Sequence, residues 1–452
     1  MIHMSLSKAA NSIQAVLEGD DLDFTGCTTD SRRVNSGELF IALRGEHFDG
    51  HEFVGEARNN GAVAAVVERN ISGGSRLPII IVDDSRVAMG KLAAYWRSSI
   101  SVPLIAITGS NGKTTVKEMI TSVLSRKAPV LSTRGNLNNE IGVPLTLFAL
   151  DKHYQYAVIE MGANHPGEIA ALTRIARPNV AAITQCAPAH LEGFGSVAGV
   201  ASAKAEIFEG LEQDGIAIVN IDDSHAPVWQ SKARLFRQIS FSVRQKADVH
   251  ASGIDFDSDS GAGRFTLHVG GEETEVRLSL PGKHNIQNAL AAAACCVAVE
   301  IDLETIKAGL EGVRTIKGRL QIKKGINGSR VYDDTYNANP ASLEAALKVV
   351  GERPGRHWLV LGDMGELGES SETLHFRAGE NARAYGFEKL YTLGQLSTHA
   401  VEGFGNGALL VTSPEDLVSI LKDGLSEEIN VLVKGSRAMA MERVVNGIVE
   451  VS

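Results

Sequence analysis

Gly109-Ser110-Asn111-Gly112-Lys113-Thr114-Thr115 is the stretch of this sequence whose residue types and spacing point most directly to chemistry. An apolar strand, Leu104 to Ile107, runs into a tight glycine turn, and Lys-Thr-Thr then opens a helix over Val116 to Leu124. Backbone N–H groups in such a turn, backed by the helix dipole, form a cradle for phosphate. In that cradle Lys113 reaches the β- and γ-phosphates and the Thr114 hydroxyl holds Mg²⁺. The common spacing G-x-x-x-x-G-K-[ST] would put a glycine where this chain has Ile107, so the loop is a shortened variant that starts at Gly109. A glycine-rich turn that binds nothing is the alternative. The buried strand directly before Gly-Lys-Thr-Thr favours a nucleoside triphosphate.

Tyr156-Ala157-Val158-Ile159-Glu160 is a second apolar strand, and it ends in a carboxylate. Alone, Glu160 would be read as a solvated strand end. Beside a phosphate loop it is a candidate for holding Mg²⁺ opposite the loop threonine. The next strand, Val180 to Thr184, is followed by Ala189-His190-Leu191-Glu192. A lone histidine is usually structural, but His190 follows a strand of the same sheet, where open α/β folds place their ligands. From periodicity alone, Lys204 is a solvated helix lysine. Likewise His284-Asn285-Ile286-Gln287-Asn288 reads as a helix start and Lys317-Gly318-Arg319-Leu320 as a linker.

These residues need a large scaffold. At 452 residues the chain is too long for one core, and the length prior suggests about three domains. Short strands and turns fill the first segment, placing a small mixed α/β domain at 1–84. Strands and helices alternate from the phosphate loop onward, which signals a parallel α/β sheet. The stretch Val249 to Leu280 alternates apolar and polar residues around glycine turns, reading as antiparallel hairpins within a central domain, 85–314. The α/β pattern restarts after Gly312 and predicts a third, doubly wound Rossmann-like domain over 315–452. Asp255, Asp257 and Asp259 imitate a calcium loop, but Ser260 and Thr266 stand where the glycine and glutamate belong, so that reading is rejected.

Composition excludes several classes. The longest apolar run, Leu290 to Val299, is too short to span a bilayer. Met1 to Ala10 lacks the apolar core of a signal peptide. The four cysteines show no metal-ligand spacing, which fits a reducing cytoplasm. The tripeptides Asn70-Ile71-Ser72 and Asn327-Gly328-Ser329 match glycosylation sequons, as short patterns do by chance. A net charge of −10 argues against nonspecific nucleic-acid binding, so local groups must hold any anionic ligand.

Over nearly its whole length the chain resembles the Mur ligase family, the ATP-dependent amide-forming enzymes of peptidoglycan synthesis. The resemblance rests on the phosphate loop, Glu160, Ala189-His190-Leu191-Glu192, Ala203-Lys204, the His284 to Ala289 stretch, Gly318-Arg319 and Asp333-Asp334. Four further stretches, Gly135 to Pro144, Tyr336 to Pro340, Leu361 to Gly368 and Lys434 to Arg437, most resemble the branch that adds D-alanyl-D-alanine to UDP-N-acetylmuramoyl-tripeptide. The Asp-Asn-Pro-Arg motif of the preceding, diaminopimelate-adding ligase is absent.

The resemblance implies a cytoplasmic, monomeric enzyme using ATP and two Mg²⁺ ions. It implies Thr114 and Glu160 as ligands of one ion, and His190 with a carbamylated Lys204 at the other. An ammonium beside Mg²⁺ would be repelled and its pKa lowered, leaving a neutral amine for CO₂. The resemblance further implies nucleotide contacts at Gly109 to Thr115, Asn288, Arg319 and Asp334. It implies substrate contacts at Asp30, Ser31, Arg32 and Gly45 in a UDP-binding module, at Asn136, Asn138 and Asn139, and at Lys434, Ser436 and Arg437. Three rivals stand beside it. A regulatory phosphate-loop NTPase is disfavoured because no guanine-reading Asn-Lys-x-Asp occurs. A family member with another acceptor is disfavoured by the Thr29 to Arg32 stretch, and a degenerate homologue by the retention of every catalytic-type residue.

Overall fold

The computed structural model describes residues 1–70, 77–258 and 260–450. The tripeptide at Asn70 and the aspartate run at Asp255 therefore fall partly outside the described residues. Among the described residues no helix is long and apolar enough to cross a membrane.

The central sheet has nine strands. Its middle is the run Leu104–Thr108, buried at every position, as expected for a parallel strand covered on both faces. Tyr156–Glu160 pairs with it in parallel on one side and Val180–Ile183 on the other. Val130–Ser132 forms the edge beyond the former, and Ile216–Asn220 and Arg237–Ser242 extend the parallel part beyond the latter. Strands Val249–Phe256, Ala262–Val269 and Glu272–Pro281 complete the sheet with antiparallel hairpins. The chain thus leaves Leu104–Thr108 toward one side and later returns on the other. Such a switch point opens a crevice at the carboxyl ends of the strands.

The phosphate-loop helix spans Lys113–Leu124, starting three residues before the expected Val116. The long helix Lys283–Ala298 packs against it, with Ala289 to Cys296 fully buried. A run of alanines allows the two helices to approach closely around one apolar core.

The N-terminal part carries a five-stranded sheet and a separate two-stranded ribbon. It does not stand apart. Residues Ile2 to Ile13 and the helix Ser85–Ser98 share one continuous core with the central sheet, Leu104 and Leu147 included. Asp84 caps that helix by accepting from the N–H groups of Arg86 and Val87 at 2.8 and 2.9 Å.

The C-terminal part is a six-stranded sheet, parallel except for its first strand, Gln321–Lys324. Its middle strands are Arg330–Asp334, Ile429–Lys434 and Arg356–Gly362. Helices cover both faces, giving two cores, as a doubly wound fold requires.

Candidate active site

The carboxyl ends of Leu104–Thr108 and Tyr156–Glu160 bring the phosphate loop and Glu160 together. Gly109 and Gly112 take φ values of +150° and +84°. A Cβ on Gly112 would lie 2.3 Å from the Asn288 side-chain oxygen, and one on Gly109 would lie 1.9 Å from the Thr184 hydroxyl. Only glycine fits at either place, so the backbone turns tightly and meets Asn288 directly. The loop is pinned from below. Ser110 Oγ donates to the Ala187 carbonyl at 3.0 Å, and Thr184 Oγ1 donates to the Asn111 carbonyl at 2.6 Å. The first-turn N–H groups of the helix that follows have no intrahelical partners, leaving donors for an anion.

Thr114 Oγ1 donates to Glu160 Oε2 at 2.9 Å. The other Glu160 oxygen accepts from Asn138 Nδ2 at 2.8 Å, and the Glu160 N–H is held by Thr133 Oγ1 at 3.0 Å. Glu160 is buried, so its orientation is set on both sides. Lys113 Nζ folds back to the Gly109 carbonyl at 2.6 Å. Desolvation pulls the Lys113 pKa below the usual lysine range, while the charge of Glu160 opposes that shift. Arg319 enters from the C-terminal part, donating to Thr114 Oγ1 at 3.2 Å and lying 4.2 Å from the Tyr336 ring centre.

Among the described residues no three His, Cys, Asp or Glu side chains converge into a ready-made metal site. The Thr114 hydroxyl and Glu160 carboxylate are nonetheless hard oxygen donors in contact. They fit Mg²⁺, which takes few protein ligands and fills its sphere with phosphate and water.

Lys204 is not the solvated lysine that periodicity suggests. It is 1% exposed, with its ammonium 5.3 Å from the Phe194 ring centre. No carboxylate pairs with it among the described residues. Burial, with a smaller push from Lys113, lowers its pKa to about 7. Lys204 is therefore an amine with a large neutral fraction near neutrality. His190 holds an αL conformation, φ +52°. Its ring meets Glu366, which comes from the C-terminal part.

The phosphate loop, Glu160, His190 and Arg319 line an open cleft of about 1270 Å³ between the central and C-terminal sheets, while Lys204 lies behind its wall. Lys113, Glu160, His190, Arg319, Ser436 and Arg437 all face it, as do Asn136, Asn138 and Asn139 from the loop after Val130–Ser132. Lys434 departs from its expected place. Its ammonium is buried, 2.5 Å from Asp334 Oδ2 and 2.9 Å from the Asn337 carbonyl. The cation expected to grip a substrate carboxylate is thus neutralised inside the fold, because the strand carrying it is buried along its whole length. At that turn Arg437 is the exposed cation, paired with Glu442 at 2.8 Å. The same arrangement engages Asp334, whose other oxygen accepts from the Leu320 N–H at 3.1 Å.

Asp30, Ser31, Arg32 and Gly45 lie apart from this cleft, in the N-terminal part. Asp30 caps the turn Ser31–Arg33 and pairs with Arg32 at 2.8 Å, and Ser31 donates to Glu56 at 2.6 Å. Gly45 packs against Phe48. Arg86 ties this part to the central one through Glu140 at 2.8 Å and the Arg44 carbonyl at 3.1 Å. Sequence reasoning gave no role to Thr133, Thr184, Asn339 or Glu366, which orient the loop, Glu160 and His190. The strand-end positions of Thr133 and Thr184 were the available signal.

The chain is 44% identical to the UDP-N-acetylmuramoyl-tripeptide–D-alanyl-D-alanine ligase of Escherichia coli (strain K12), covering 100% of this chain and 99% of that protein. It belongs to the Mur ligase family. Three family domains match along this Mur ligase in order: the Mur ligase family catalytic domain at residues 23–97, the Mur ligase middle domain at 107–296, and the Mur ligase glutamate ligase domain at 318–437. A crystal structure of MurF from Acinetobacter baumannii superimposes with a TM-score of 0.93 at 37% identity, covering 99% of this chain and 98% of that one. The MurF ligase from Thermotoga maritima in complex with ADP superimposes at 0.83, with 30% identity and coverages of 94% and 96%.

Proposed function

We propose that this chain is an ATP-dependent amide ligase that joins D-alanyl-D-alanine to UDP-N-acetylmuramoyl-tripeptide, releasing ADP and phosphate. The observation that carries this reading is end-to-end identity of 44% to a ligase of that name, together with an intact phosphate loop. The three parts divide the work: 1–84 holds the UDP moiety through Asp30, Ser31, Arg32 and Gly45, 85–314 holds ATP, and 315–452 holds the dipeptide. The location is the cytoplasm, where ATP is available.

A free carboxylate is a poor acyl donor, so the tripeptide carboxylate first takes the γ-phosphoryl of ATP to become an acyl phosphate. The amine of the dipeptide then attacks the carbonyl, and phosphate leaves. Gly109 to Thr115 bind the triphosphate with backbone N–H groups. Lys113 moves from the Gly109 carbonyl onto the transferring phosphoryl group. Asn288 and Arg319 position the nucleotide from the helix start and the domain junction, which Asp334 braces through Lys434 and the Leu320 N–H. Thr114 and Glu160 would hold one Mg²⁺ between their two oxygens; by family resemblance, His190 and a carbamylated Lys204 would hold a second. When bound, the ions neutralise charge between two anions that otherwise repel each other.

The test measures ADP release with UDP-N-acetylmuramoyl-tripeptide and D-alanyl-D-alanine added singly and together. Release that requires both, with a product heavier by one dipeptide less water, is the expected result. Vigorous ATP hydrolysis with neither substrate present would overturn the ligase reading.

A further inference from the structure

The phosphate loop is tied to the C-terminal part by two amides. Asn339 Nδ2 donates to Asn111 Oδ1 at 2.8 Å, and Asn111 Nδ2 faces Asn339 Oδ1 at 3.4 Å. The two residues lie 228 positions apart, both at the wall of the cleft. Asn339 is buried, and it is also the N-cap of the helix Pro340–Gly351. Its Oδ1 accepts from the Ser342 N–H at 2.9 Å, while the Ser342 hydroxyl closes a reciprocal capping box. That cap fixes which way the amide points. With the oxygen committed to Ser342, the nitrogen can only face Asn111. Asn111 is itself anchored, its carbonyl accepting from Thr184 Oγ1. A rigid helix start in one part therefore grips a rigid loop in the other.

We propose that the Asn111–Asn339 pair is an interdomain latch, and that Asn339 is a positioning residue which holds the C-terminal part closed over the loop while nucleotide is bound. Asn339 acts through Asn111. The latch makes nucleotide release depend on parting two amides, which couples product departure to opening of the cleft. It builds on the ligase reading, but its main readout needs only nucleotide.

The decisive variant is Asn339→Ser. Serine caps a helix as well as asparagine does, yet it is too short to reach Asn111. The expected result is an unchanged melting temperature and dissociation of a fluorescent mant-ADP about tenfold faster than from the parent. That is the size expected for losing one or two neutral hydrogen bonds. Asn339→Thr repeats the test with a second capping residue. In an Asn111→Ala background the same substitutions should have no further effect, because the partner is already gone. Release within twofold of the parent in both capping variants overturns the latch, as does an equal acceleration with and without Asn111. If the parent releases ADP without needing both substrates in turnover, the ligase reading fails while the release measurements still decide the latch.

Discussion

Lys113 and Lys204 show how one residue type serves two purposes when its surroundings differ. Lys113 sits at the mouth of the loop with its ammonium parked on a carbonyl, ready to transfer to a phosphoryl oxygen. Lys113→Ala should leave the fold intact and lower kcat by about 10²–10³, as losing one preorganised donor costs roughly 3–4 kcal/mol. Circular dichroism and steady-state turnover check both halves of that statement. Among the described residues Lys204 has no carboxylate within ion-pair distance, and burial draws its pKa down to about 7. The neutral amine should take up one CO₂, visible as a carbamate carbon when the chain is equilibrated with ¹³C-bicarbonate in the presence of Mg²⁺. Lys204→Ala should lose about 100-fold or more in activity, since removing even a residue that only orients a metal ligand costs about 10–100-fold. Added formate or acetate should restore part of it. A ¹³C spectrum without that signal, and no rescue, would leave Lys204 a structural lysine.

The elements were legible in the sequence to different depths. Long buried strands such as Leu104–Thr108 and Tyr156–Glu160 announce themselves as apolar runs, and the alternation around them fixes a parallel sheet. Helix starts were less legible. The helix Pro340–Gly351 starts on Asn339 and Pro340, which form its cap and first turn but carry no apolar period to mark them. Short strands such as Val16–Glu18 and Ala408–Val411 carry too few residues for a period to show. The helix Val197–Ala205 misled for the opposite reason. Its small residues leave little amphipathic contrast, so the period does not show that Lys204 lies on the buried face with Val200, Ala201 and Ala203 while Ala198 and Ser202 face solvent. Lys434 is buried with its strand in the same way.

His284, near the start of the helix Lys283–Ala298, belongs to the same scale. Desolvation lowers its pKa to about 4, Lys434 adding to the shift and Asp334 opposing it. Between about 4 and 6.5 the unfolded chain binds a proton that the native chain refuses. Stability conferred by the neutral ring therefore rises with pH across that window and is lost on acidification. Urea unfolding followed from pH 7 to pH 4 should show a shallower decline for His284→Asn than for the parent. An identical slope would place the acid sensitivity elsewhere.

At the scale of the molecule, the chemistry depends on two sheets presenting their carboxyl ends to one cleft. Thr114, on the helix that follows Leu104–Thr108, and Glu160, at the end of its neighbouring strand, come from the central sheet's side, while Ser436 and Arg437 follow the buried strand Ile429–Lys434 of the other. The proposed division puts the nucleotide and the amine substrate on different folding units, so substitutions should separate the two. Lys434 is spent on Asp334, so the exposed Arg437 is the group left to meet the dipeptide carboxylate from that turn. Charged hydrogen bonds of this kind are worth roughly 1.5–3 kcal/mol. Arg437→Ala should raise the KM for D-alanyl-D-alanine by about tenfold or more and leave the KM for ATP nearly unchanged. Lys434→Ala should behave differently. It strands a buried Asp334 carboxylate, so a fall in melting temperature should accompany any kinetic change. If Arg437→Ala leaves the dipeptide KM where it was, the turn only closes the sheet, and the acceptor is gripped from another wall of the cleft.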